Sequence, residues 1–372
     1  MEVGIFIQTP VFKHHREGHP EYEHTQIERD LEVAIAADRA GFRYLLTAEH
    51  HFLDEYSHMS ANSPIMGYLA HATDQIHLVS AIFNPLPQVI HPAKLAETVA
   101  MLDHLTAGRF EFGTGRGAGS HEILGFLPGM EDLSGTREIW EDVIGEFAKM
   151  WLNDTYEGYQ GRYWSLPPRK VLPKPWGKAH PAMWYAAGNL SSYEMCARKG
   201  LGVLGMSVQA IPDMDKVFKA YKKGISEAEP VGAFINDNML VVNMAMVDED
   251  PRKAEAQFCA PDITYHMSNV YRYHDTFARP EGIPQWPQLI PPNTPEGIPV
   301  ARERGLIVGD PDHALEQVRR WEAAGADQMI FGTGFNRHED TLEMIRLMGE
   351  HVIPKIHTDP VHRTTRLRQA AS

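Results

Sequence analysis

Short aliphatic runs alternate eight times with longer stretches of helical period along this chain, and few folds accept that rhythm. The runs fall at residues 3–8, 44–48, 76–82, 110–113, 183–187, 202–206, 239–247 and 328–331. Continuous apolar runs without a polar face suit parallel strands covered on both sides. Helical spacing is read at 28–40, 64–72, 92–105, 136–151, 191–199, 213–228, 251–258 and 311–324, with a last helix from Glu339. Pro92 and Pro311 stand where a first-turn proline is tolerated, Gly41 closes the first helix, and Ser191 precedes Glu194 as in a capping box. Eight β/α units predict an α/β fold, a (β/α)8 TIM barrel, with an open doubly wound sheet as the alternative.

Residues 261–305 break the rhythm. They carry Pro, His and the aromatic residues Tyr265, Tyr271, Tyr273, Phe277 and Trp286 without a clean period, and are expected to form an extended lid inserted before the last β/α unit. A hairpin is expected around Gly158 and Gly161. Residues 1–360 read as one barrel domain and 361–372 as a mobile tail.

Acidic residues outnumber basic ones by 49 to 35, a net charge of −14 that repels phosphate backbones and anionic lipid, so neither nucleic acid nor membrane is an expected partner. Cys196 and Cys259 make no disulfide framework and no paired metal spacing. The first residues lack the basic and small-residue signature of a signal peptide, and no apolar run reaches spanning length; the expected location is cytoplasmic.

In a β/α barrel the chemistry sits at the carboxyl ends of the strands. After the second run stand His50 and His51. Neighbours in extended chain point to opposite faces, so the two are not expected to share one site. A histidine there can serve as a hydrogen-bond donor or general base, or be a surface residue. Gly113-Thr114-Gly115-Arg116-Gly117-Ala118 formally satisfies a dinucleotide fingerprint, but Gly125, Pro128 and Gly129 interrupt the helix that should follow. It reads better as a glycine loop that admits a flat ring, Arg116 offering a fork to phosphate or a rim ion pair. Ala187-Gly188-Asn189-Leu190-Ser191-Ser192 leads from the fifth run into a helix, where amides and hydroxyls can hold an anion, or Ser191 is merely a cap. His14, His15, His19 and His24 fit no ligand motif; no metal is expected, and they read as a first-loop surface.

Several separated blocks resemble the bacterial luciferase-like flavin-dependent monooxygenases, especially their luciferase α chains, over nearly the whole chain. They are Glu49-His50-His51-Phe52, the passage from Leu102-Asp103 to Gly108-Arg109-Phe110, Phe112 to Gly117, and Gly309-Asp310-Pro311. The resemblance implies that Arg116 and Arg137 bind the FMN phosphate together with Ala187, Gly188, Asn189 and the hydroxyls of Ser191 or Ser192. It implies that His50 faces the reactive edge of the ring, that Gly115 lies in the flavin-binding loop, and that Ser80-Ala81 matches a segment carrying a non-prolyl cis peptide. His51, the loop up to His91 and the lid would contact substrate. Gly115 stands where luciferase α chains carry a reactive cysteine and Gly188 where they carry an acidic residue, so light emission is not implied. The implied activity is a two-component monooxygenase using reduced FMN (FMNH2) and O2, through a C4a-peroxyflavin, on a small apolar organic substrate. Its partners would be a separate NAD(P)H-dependent flavin reductase and a second copy in a homodimer. An F420-dependent oxidoreductase of the same fold and a non-catalytic flavin-binding protein are the competing readings.

Overall fold

Strands without a polar face must be buried on both sides, and closure into a cylinder wrapped by helices achieves this without leaving an edge. The computed structural model describes residues 1–205, 210–275 and 279–372. Its eight barrel strands are β1 (Glu2–Ile7), β2 (Tyr44–Thr47), β3 (His77–Ser80), β4 (Phe110–Thr114), β5 (Met183–Ala187), β6 (Gly202–Gly205), β7 (Met239–Asn243) and β8 (Gln328–Gly332). Each pairs in parallel with its neighbours in chain order, and β8 closes on β1, Ile5 facing Phe331 on one side and Leu45 on the other. The eight expected strands are all present; Met206, the expected end of the sixth, lies outside the described residues.

Between strands, helices begin as the sequence chemistry requires. His91 caps Pro92–Leu105 by accepting from the Ala93 amide, Asp250 caps Pro251–Phe258, and Asp310 caps Pro311–Ala324 by accepting from His313 N at 2.9 Å. Each pairs a polar cap with a proline whose missing amide proton costs nothing in the first turn. One cap differs from expectation: Asn189, not Ser191, starts Leu190–Arg198. Gly113 in β4 is required by packing, because a Cβ there would lie 1.8 Å from the Ser80 carbonyl oxygen.

The inside of the barrel holds Phe6, Leu46, Val79, Trp184, Leu204, Leu240 and Ile330. Beneath them, at the amino ends of the strands, lies a polar floor. Glu111 accepts from Trp184 Nε1 at 2.6 Å and from Thr364 Oγ1 at 2.5 Å, with His77 Nδ1 at 2.6 Å. Thr364 belongs to a helix, Arg363–Ala370, formed by the residues read from sequence as a mobile tail. Few apolar residues mark that helix because it docks through ions: Arg368 makes a two-pronged bridge to buried Asp103, both distances 2.7 Å, and donates to the Ala179 carbonyl.

The long seventh run is broken. Asn243 turns the chain, its side-chain oxygen accepting from Met244 N and its amide donating to the Gly305 carbonyl. Ala245–Val247 then pairs with Ile307–Gly309 in a small parallel ribbon outside the barrel, the base of the insertion between β7 and β8. The expected helix Pro251–Phe258 is present, and the stretch read as aperiodic is more helical than the sequence reading allowed, with Pro261–Tyr273 and Ile298–Arg304. The buried side of Pro261–Tyr273 includes Thr264, His266, Ser268 and Asn269, so polar residues hid its period. Phe277 lies outside the described residues. The expected hairpin is present as Tyr159–Gln160 paired with Ser165–Leu166. No helix among the described residues is long and apolar enough to cross a membrane.

Candidate active site

A cavity of about 910 Å³ opens at the carboxyl ends of the strands, large enough for a flat cofactor together with a small substrate. Its wall is built from residues at or beyond the ends of all eight strands, with Asp213, Lys216 and Val217 coming from the helix after β6, and the insertion roofs it with His266, Met267, Val270, Tyr271 and His274. Apolar contacts come from Phe6, Ile82, Val89 and Val242.

His50 sits in this wall, held by Glu122, whose Oε2 lies 3.0 Å from His50 Nδ1. The other oxygen of Glu122 accepts from the His51 amide at 3.0 Å, so one buried carboxyl group fixes both the ring and the backbone of the turn. With a proton on Nδ1 directed at Glu122, Nε2 is left as the nitrogen that can accept or return one. His51 also lines the cavity, against the expectation of opposite faces. The strand ends at Thr47, so the extended alternation does not reach residues 50 and 51. The neighbouring Glu49 carboxyl raises the basicity of His51.

Around His50 stands an aromatic cluster that sequence reasoning missed. Tyr56 and His274 pack against it with ring centroids at 5.2 and 5.5 Å, Tyr56 stacks on His266, and His266 stacks on Phe335. Gln8 donates to the Tyr56 hydroxyl at 2.8 Å. Burial lowers His266 to about 4 and holds His274 well below the usual histidine range, so both are neutral at pH 7. Nothing in the local sequence marks Glu122, His266 or His274: they come from a short helix after β4 and from the insertion, far from His50 in the chain.

Further round the barrel, Gly115, Arg116, Gly117, Ala187, Gly188, Asn189 and Ser192 line the same cavity, as does Ala81. Gly117 is left-handed (φ +83°), and a Cβ there would overlap Ile123, so only glycine gives this loop its path. Arg116 is steered by Thr136 Oγ1 at 2.8 Å. Exposed Lys216 and Arg304 stand at the mouth.

Four expected site residues lie elsewhere. Arg137 is outside the cavity wall and pairs with Glu141 at 3.2 Å, one helical turn on. Ser191 is exposed, its hydroxyl donating to Asn189 Oδ1; Asn189 spends that oxygen on Ser191 and Ser192 together. Ser80 locks β3 to β4, donating to Gly113 O and accepting from Gly113 N. The non-prolyl cis peptide lies one bond further on, between Ala81 and Ile82. His91 is exposed as a helix cap, away from the cavity.

The arrangement fits a flat, phosphorylated ring system. Small residues on adjoining loops (Gly115, Ala186, Ala187, Gly188) leave a smooth surface, and a Cβ on Gly115 would press on Ile82 at 3.0 Å. The Arg116 guanidinium supplies an anion donor nearby, and the Ser192 hydroxyl at the helix start would join it by turning away from Asn189 Oδ1.

Residues 1–328 match the family model of luciferase-like monooxygenases. The chain is similar to the oxygenase component of the flavin-dependent trigonelline monooxygenase of Acinetobacter baylyi, 26% identical over 90% of this chain and 91% of that one. It is also similar to an F420-dependent glucose-6-phosphate dehydrogenase of Microbacterium testaceum, 21% identical over 88% and 92%. Among solved structures it resembles the oxygenating constituent of 3,6-diketocamphane monooxygenase from Pseudomonas putida, in complex with FMN, with a TM-score of 0.74, 17% identity, and coverage of 96% and 99%. At that identity the likeness speaks for the fold.

Proposed function

The chain belongs to the luciferase-like monooxygenase family, and from that premise we propose that it is the oxygenase component of a two-component system, using reduced FMN and O2 on a small, largely apolar organic substrate. The observation that carries this reading is the division of the cavity. A histidine oriented by Glu122 stands amid aromatic and apolar side chains after β2, while Arg116 and the glycine-rich surface stand after β4 and β5.

Arg116, Gly115, Ala187, Gly188, Asn189 and Ser192 would hold the flavin. Reduced FMN, when bound, supplies the two electrons that activate O2, so that one oxygen atom enters the substrate and the other leaves as water. Arg116 binds and orients the phosphate. His50 Nε2 takes or returns the proton that the reaction moves, its ring kept in one tautomer by Glu122. The helix Pro261–Tyr273 excludes water, latched to the barrel by Tyr265 OH donating to Glu55 at 2.7 Å and by Asp275 on Ser120. Met267, Val270 and Tyr271 present an apolar surface to the substrate. A separate NAD(P)H-dependent reductase delivers the reduced flavin, and the chain works in the cytoplasm as a homodimer.

Hydride transfer with F420 is the competing reading, since F420-dependent enzymes are among the relatives. Anaerobic titration with reduced FMN and, separately, reduced F420 tests the choice. Reduced FMN is expected to bind at least about tenfold more tightly, a difference of about 1.4 kcal/mol, and to lose that advantage in Arg116→Ala. Tighter binding of F420, with oxygen-independent turnover, would overturn the proposal.

A further inference from the structure

The first βα loop and the lid meet away from the cavity wall, at a cluster that neither the fold nor the proposed reaction uses. His14 Nε2 lies 2.9 Å from one oxygen of Asp262, and His15 Nε2 lies 3.0 Å from the other. Among the described residues these are the three His, Cys, Asp or Glu side chains whose donor atoms gather within 4.8 Å of one another. Spacing along the chain concealed the set, because its carboxylate comes from 248 residues away.

Convergence of two sequence neighbours on one carboxylate is unusual, since adjacent helical residues diverge by about 100°. Here His14 and His15 share a single turn, Lys13–Arg16, yet their ring centroids are 4.4 Å apart. The rings are held from outside. His14 stacks on Phe12 and meets the edge of Tyr265, while His15 Nδ1 lies 2.9 Å from the Tyr22 hydroxyl.

We propose that His14, His15 and Asp262 form a site for a divalent transition-metal ion of the zinc type, which clasps the start of the lid helix to the first loop of the barrel. Two imidazole nitrogens and one carboxylate oxygen are ligands such an ion accepts at about 2.0–2.2 Å, with water completing a tetrahedron. Donor separations of 2.9–3.0 Å need to open only slightly for an ion to enter. Entry requires the proton of each ring on Nδ1, and at His15 the Tyr22 oxygen is in place to accept that hydrogen bond. Beside the cluster a cavity of about 240 Å³, lined in part by His15, Tyr22 and Asp262, leaves room for the water. Asp262 opens the helix whose next turn carries Tyr265, bonded to Glu55, and His266 in the cavity wall, so an ion here stiffens the roof without touching the reacting groups.

Chelator-stripped protein titrated with Zn²⁺ in a calorimeter, with hydrogen exchange of residues 261–273 followed in parallel, tests the proposal. One equivalent is expected to bind with a Kd of about 10 μM or tighter and to slow exchange in that helix. Asp262→Asn and His15→Gln should weaken binding at least about tenfold, while His24→Gln should leave it unchanged. Because Asp262 is partly buried, His14→Ala, at an exposed position, provides the same comparison should the aspartate variant not fold. Absence of saturable one-equivalent binding, binding that survives these substitutions, or binding that leaves the exchange of the helix unaltered would each overturn the clasp.

Discussion

Glu122 does two things with one side chain: it holds the His50 ring and it pins the His51 amide. Glu122→Gln keeps the shape but leaves one carbonyl oxygen for two N–H donors, and with that oxygen on the His51 amide its NH2 faces His50 Nδ1, so His50 is expected to lose its fixed tautomer. In a steady-state assay kcat should fall by about 10- to 100-fold with little change in FMN affinity, whereas Arg116→Ala should weaken FMN binding first. The floor of the barrel gives a second prediction at this scale. Burial raises Glu111 to about 7 and lowers His77 to about 3. A raised carboxyl stabilises the fold while it is protonated, so its contribution is full below about pH 4.5 and disappears as pH rises through 7; the His77 contribution has the opposite sign and is lost as pH falls from 6.5 towards 3. The two offset each other between about pH 4.5 and 6.5, leaving a fall from pH 6.5 to 8 that belongs to Glu111. Urea denaturation should show wild type losing about 1 kcal/mol relative to Glu111→Gln across that interval. His50, Arg116 and the Gly188-Asn189 loop were legible in the sequence because each follows a strand run directly. Glu122, His266 and His274 were not, since their partnership with His50 exists only once distant loops fold over one rim.

At the scale of elements, the C-terminal helix Arg363–Ala370 is secured by ions more than by apolar contact. Asp103 is fully buried, and Arg368 is the cation that meets it. Arg368→Ala strands that carboxylate and is expected to cost about 3–5 kcal/mol in chemical denaturation. Arg366→Ala breaks an exposed pair with Asp359, screened by water, and should leave the denaturation midpoint nearly unchanged. This helix and the lid helix Pro261–Tyr273 are elements that pattern reading missed. Hydrophobic period is the signal such reading relies on, and both helices bury polar groups: Thr364 on Glu111 in one, Thr264, His266, Ser268 and Asn269 in the other. The barrel strands gave a clean signal because they are mostly apolar, with few polar residues such as His77 and Glu111 interrupting the runs, and only the break at Asn243 escaped notice.

For the molecule as a whole, the roof and the barrel meet at Glu55, a buried carboxylate that accepts from the Lys13 amide and the Tyr265 hydroxyl, with Arg272 at 3.6 Å. Glu55→Ala is expected to loosen the roof without altering the ring-binding surface. With reduced FMN supplied, oxygen consumption should rise relative to organic product by about twofold or more, a ratio read with an oxygen electrode and chromatography. The pairing of β1 with β8 has a consequence for how such a chain comes into being. A ribosome delivers residues 2–7 long before their second neighbour, at 328–332, exists, so during synthesis the first strand offers the nascent polypeptide an open ribbon edge. The cylinder cannot shut until that late segment emerges, and a message cut short ahead of it would yield a sticky, half-wound sheet.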